Sequence, residues 1–120
     1  MHLLAACTDG KRLTPSATLR MREHVHAAPI EAARTWRNAA NVELPCLPAR
    51  QLYKGVGWSG VRAAAEAGGH DLSVVSAGFG LVAAEQLLPG YSATFLPRHA
   101  DSVPGSAAGR RTWWQALGGS

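Results

Sequence analysis

Two cysteines, Cys7 and Cys46, are all the thiol in this 120-residue chain. They form no Cys-x-x-Cys pair and no zinc-type spacing, which removes zinc modules, and nothing supports a disulfide between them. No apolar run reaches membrane-spanning length, so no membrane segment is expected. No basic stretch followed by a long apolar one opens the chain, so no signal peptide is expected and the cytoplasm is the default compartment. Charge is sparse too. Charged residues make up 17%, with 12 basic against 8 acidic side chains and a formal net charge of +4. That excess favours an anionic partner. There is no dense basic block, however, and arginines spread from Arg20 to Arg111 equally describe a solvated surface. His24-Val-His26 would put two rings on one side of a strand, but no third ligand accompanies them. Neither a metal nor a cofactor is expected, and no internal repeat is visible.

What is present is a globular composition. Apolar residues make up 47% of the chain, enough for one core, while 13 glycines and 7 prolines imply much loop. His2-Leu-Leu-Ala-Ala-Cys7 reads as a buried strand, and residues 72–76, with two adjacent valines, read as a second. A helix is expected from Pro29 to about Ala40, with Ile30, Ala33, Arg37 and Ala40 as its stripe and Trp36 beside it. One or two helical turns are expected over 48–53. A further helix from an N-cap at Ser59 through Ala67 ends at Gly68-Gly69, with Arg62 and Glu66 paired on its outer side. The helix between the two strands implies a right-handed crossover and parallel pairing. After Gly80, residues 81–88 read as a short helix, and Tyr91–Phe95 as an edge strand or extended loop. The adjacent Trp113 and Trp114 either pack back on the domain, begin a helix or meet a protein partner.

The chemistry is expected where the two strands end. The Ser76-Ala77-Gly78-Phe79-Gly80 turn offers successive backbone N–H groups for an anion, with Gly78 and Gly80 taken to need positive φ. It matches neither the P-loop nor the nucleophile elbow. Opposite it, Cys7, Thr8, Asp9 and Lys11 offer a thiol, a hydroxyl, a carboxylate and a mobile cation. Tyr53 and Tyr91 either stack a base and hydrogen-bond a ligand, or pack in the core.

In order along the chain, these elements resemble a known pattern: Cys7 and Lys11, then Ala49-Arg50-x-Leu52-Tyr53-x-Gly55, then Ser76-Ala-Gly-Phe-Gly-Leu-Val82, then Pro89 and Tyr91. The pattern is similar to a bacterial and phage domain family of unknown function that looks like a short relative of the YaaA peroxide-stress family. It covers residues 3–11 and 47–95. The resemblance implies a Rossmann-like α/β domain and, for YaaA-like proteins, DNA binding in oxidative-stress protection. For the short relatives it implies an association with phage defence. On that pattern residues 12–46 are an insertion. Residues 1–96 are expected to form the α/β domain, and 97–120 a linker with a tryptophan-containing segment that is either truncated, minimal or one piece of a larger assembly.

The expected fold is therefore α/β, a small, mostly parallel, Rossmann-like sheet flanked by helices. The expected crevice is lined by Cys7, Thr8, Lys11, Tyr53, Gly55, Ser76, Ala77, Gly78, Gly80 and Tyr91. It would bind a phosphate-bearing ligand, a nucleic acid or a nucleotide, in a stress or defence setting. Two alternatives stand beside this reading. One is an enzyme acting on a nucleoside or a nucleic-acid base. Asp9 or Glu85 would be its acid–base group, Ser76 or Cys7 its nucleophile and Lys11 its electrostatic stabiliser. The other is an interaction module docking a partner through Trp113 and Trp114.

Overall fold

The computed structural model of the chain describes residues 2–6, 11–96, 98–104 and 107–118. In chain order it contains β1 (His2–Ala6), α1 (Pro29–Val42), β2 (Cys46–Pro48), α2 (Ala49–Leu52), α3 (Val56–Gly68), β3 (Asp71–Ser76), β4 (Gly80–Ala83), β5 (Leu87–Pro89) and α4 (Ala107–Ala116). Two single-turn 3-10 helices, Ala17–Leu19 and Met21–Glu23, lie between β1 and α1.

β1 and β3 run parallel, with Leu3 opposite Leu72 and Ala5 opposite Val74. The mostly parallel, Rossmann-like sheet is nevertheless incorrect. β1–β3 is the one parallel strand pair among the described residues. β4 returns antiparallel to β3, and β2 and β5 form a separate antiparallel ribbon. The physical reason is chain length. Only Ala77, Gly78 and Phe79 separate β3 from β4, and a parallel neighbour needs a crossover of a dozen residues or more. The same constraint overturns the helix expected over 81–88. Gly80–Ala83 alternates buried and exposed, as a half-buried strand does, and a turn then leads to β5.

α1 starts with Pro29 at its first turn and ends at Val42, three residues before Pro45, whose ring disfavours helix in the residue ahead of it. It buries Ala32, Ala33 and Trp36, while Ile30 is 57% exposed and Arg37 points outward. The buried stripe is thus rotated from the one expected. α3 begins at Val56 rather than after Ser59, and Gly69 closes it in the left-handed region at φ 65°. Its Arg62 and Glu66 pair at 3.1 Å.

One aromatic cluster holds the elements together. Trp36 meets Tyr91, Phe79 and Trp113 at ring-centroid distances of 6.3, 6.4 and 5.8 Å, and Tyr53 packs on Trp58 at 5.3 Å. Leu19, Met21 and Trp36 from the 12–46 stretch share this core with Trp113 from the C-terminal segment. Trp113 is 1% exposed, so it packs in cis and offers no surface to a partner. Among the described residues no helix is long and apolar enough to cross a membrane.

Candidate functional site

Ser76 ends β3 with its side chain fully buried. Its Oγ accepts the backbone N–H groups of Gly78 at 3.2 Å and Phe79 at 3.0 Å. These are donors the sequence assigned to an anion, and the serine hydroxyl occupies them instead. With both lone pairs used, Ser76 donates its own proton to Tyr91 Oη at 2.7 Å. Tyr91 Oη in turn lies 2.5 Å from Tyr53 Oη. The turn carbonyls are also taken. Trp113 Nε1 donates to Ala77 O at 2.7 Å, and Trp36 Nε1 donates to Gly78 O at 2.8 Å. Backbone and side chain at the end of β3 form one satisfied buried network, in which each lost partner leaves an expensive orphan. A fully buried hydroxyl with three hydrogen bonds braces this turn. It has no open side from which to attack a substrate.

Gly78 is needed here for room, not for positive φ. A Cβ at this position would lie 2.7 Å from Cδ2 and 2.8 Å from Cε2 of Tyr91, and 3.0 Å from Cζ2 of Trp36. Both rings are buried and hydrogen-bonded, so neither yields. Gly78→Ala is expected to cost about 1–3 kcal/mol through overpacking. An unchanged urea midpoint would contradict this geometry. Gly80 does adopt positive φ, at 78°.

Lys11 bridges backbone to backbone with Tyr53. Its ammonium lies 4.4 Å from the ring centroid of Tyr91 and 5.8 Å from that of Tyr53, within cation–π range of both. Lys11, Tyr53, Ser76, Ala77, Gly78 and Tyr91 therefore meet at the C-terminal end of β3. Gly55, two residues after Tyr53, caps the start of α3 with φ 123°. Glu85 lines a different small depression, with Arg50 and His70. Cys7, Thr8 and Asp9 lie outside the described residues.

On the outer side of Tyr91 a cleft of about 470 Å³ opens, lined by Lys11, Arg20, Arg22, Ser92, His99 and Asp101 among others. Asp101, 1% exposed, organises it. It accepts from Arg22 Nε at 3.0 Å, Arg22 Nη2 at 2.8 Å, the Arg22 backbone N–H at 2.9 Å and Ser92 Oγ at 2.6 Å. Burial pushes the Asp101 carboxyl upward. The donors from Arg22 and Ser92 outweigh burial and hold it well below the usual carboxylate range. In return, the bond and charge of Asp101 raise the Arg22 guanidinium. The bidentate grip uses two of five guanidinium N–H groups, so a positioned, half-exposed cation keeps three for a ligand.

Arg20, Arg22, Ser92, His99 and Asp101 were missed by the sequence reading. Arg22 and Asp101 stand 79 positions apart. Neither sits in a motif, and no local pattern links an arginine in a 3-10 turn to an aspartate in a loop. Among the described residues, no cluster of three or more histidine, cysteine or acidic side chains is placed to hold a metal. Comparison with protein-family models, with curated proteins and with solved structures gave no match, so the YaaA-like resemblance rests on the chain's own motifs alone.

Proposed function

We propose that this chain binds a phosphate-bearing ligand, a nucleotide or a nucleic acid, in the cleft beside Tyr91. The observation that supports this most is Arg22, locked by Asp101 with part of its guanidinium left toward a cleft that Arg20 and Lys11 also line. Three cations around one 470 Å³ depression, against a single carboxylate already paired, make its field positive. A fixed guanidinium suits phosphate better than a mobile one, because less rotamer freedom is lost on binding. Ser92 and Thr14 add hydroxyl groups at the same wall. The net charge of +4 acts in the same direction over longer range.

The test is equilibrium binding of ATP and of a short oligonucleotide at two salt concentrations. Affinity is expected to fall as salt rises, in proportion to the phosphates neutralised. Arg20→Ala, at a side chain that takes no part in the buried hydrogen-bond network, is expected to weaken binding about tenfold, in line with one lost charge-assisted contact. Binding that ignores both salt and Arg20→Ala would end the proposal.

A further inference from the structure

A second polar surface lies outside the cleft, along the outer face of α1. Arg34, Arg37, Asn38 and Asn41 fall at i, i+3, i+4 and i+7, so their side chains form one stripe. All four are exposed. The stripe is walled by the end of α4, and with Ala116 it lines a depression of about 310 Å³. Arg37 donates through Nη1 to the Ala116 carbonyl at 3.1 Å, which fixes the guanidinium at the C-terminal end of α4. Beyond Arg37 a further depression of about 180 Å³ continues over Asn41, Gln86 and Phe79. Among the described residues no acidic side chain lines either one, and Glu31, which pairs with Arg34 at 3.7 Å, stands beside the first.

This lining has the chemistry of base recognition. Asn and Gln amides offer a donor and an acceptor side by side, which matches a base edge, and guanidinium planes and aromatic rings stack on base faces. The two arginines supply attraction for the backbone. Shape decides between duplex and single strand. A helix that reads a duplex must stand proud to enter the major groove, whereas this exposed stripe lines an open depression with α4 as its wall. Concave polar surfaces suit splayed, unpaired bases. The surface connects to the cleft through the core, because Phe79 at its rim meets Tyr91, which lines the cleft, edge-to-face at 4.9 Å.

We infer that the α1–α4 seam is a contact surface for single-stranded nucleic acid, adjoining the phosphate cleft. This rests on the cleft reading and adds to it that the ligand is a polymer rather than a mononucleotide. The seam variant is Asn38→Ala combined with Asn41→Ala. Both positions are exposed in a helix, and alanine is the better helix former, so folding is retained. Fluorescence anisotropy with a labelled 15-nucleotide single strand, and calorimetry with ATP, are run on the native chain, the seam variant and Arg20→Ala. The native chain is expected to bind the single strand at least tenfold more tightly than ATP or a 15-base-pair duplex. The seam variant is expected to lose about tenfold for the strand, as for one lost base contact, while binding ATP normally. Arg20→Ala is expected to weaken both. If ATP binding depends on Arg20 but the strand binds no better than ATP, or binds the seam variant equally well, the seam inference fails and the cleft reading survives. If Arg20→Ala changes neither ligand, the cleft reading fails, and the seam inference, which rests on it, is overturned with it.

Discussion

Trp36→Ala should lower the stability of this chain by about 3–5 kcal/mol, as large aromatic-to-alanine changes in packed cores do. Trp36 is fully buried and sits where the segments converge: His24 from the N-terminal half, Phe79 and Tyr91 from the β3 turn and beyond, and Trp113 from α4 all meet its ring. Its indole N–H also holds the Gly78 carbonyl. Removing the ring leaves a cavity beneath the turn and a buried carbonyl without a donor. Since domains are stable by only about 5–15 kcal/mol, this one change takes a large share of the total. Trp36→Phe separates the two effects. It keeps most of the packing and removes only the donor, for an expected cost of about 1–3 kcal/mol. Trp113→Phe makes the same test at the Ala77 carbonyl. The two carbonyls belong to adjacent residues, so the double variant should depart from additivity by about 0.5 kcal/mol or more. Urea unfolding followed by far-ultraviolet circular dichroism measures all four. A cost below about 1 kcal/mol for Trp36→Ala would show that this ring is not the junction of the core.

That role for two tryptophans explains which parts of the molecule were legible in the sequence. Strands β1 and β3 could be read because both are short, mostly apolar runs, and the crossover between them is long enough for parallel pairing, but β1 is an edge strand with Leu4 63% exposed and not the buried strand expected. Lys11, Tyr53, Ser76, Gly78 and Tyr91 could be grouped because each follows or faces a strand end. The antiparallel return of β4 was equally available in principle, since three residues after Ser76 admit only a hairpin. It is obscured in the sequence because Leu81–Leu88 has neither a clear period of two nor one of 3.6.

The rest depended on contacts between residues far apart in sequence. Nothing near Gly78 announces that Tyr91 and Trp36 will press on it, so in sequence its demand for space is indistinguishable from a demand for positive φ. Likewise, nothing near Ser76 announces that its hydroxyl will take the turn's own N–H groups. The candidate site moved outward for that reason. The polar groups of the turn satisfy one another, and the open wall is built from Lys11, Arg20, Arg22 and the Asp101 that anchors Arg22 instead. Loops carry that wall while the strand end and the tryptophans hold it in place, a common division between function and scaffold.

Asp101→Asn tests the wall and the fold together, and pH distinguishes its contribution from any other. Asp101 is buried against a guanidinium that is 46% exposed, so the partner left behind rehydrates in part. The expected cost at neutral pH is therefore about 2–3 kcal/mol, below the range for fully buried pairs. The carboxyl titrates below its unfolded value of about 3.9, so its stabilisation is complete at neutral pH and is lost as pH falls below about 4. Native chain and Asp101→Asn should accordingly differ most above about pH 5 and converge steadily toward pH 2. Urea midpoints across that window measure the difference directly, because all other carboxylates are common to both proteins. Ligand binding adds a second readout. Asparagine cannot hold both Nε and Nη2 of Arg22 as a carboxylate does, so the guanidinium should swing free and binding in the cleft weaken at neutral pH in the folded variant. A pH-independent gap between the two proteins would mean that Asp101 is not ionised against Arg22. Undiminished binding would mean that Arg22 needs no such anchor to hold a phosphate.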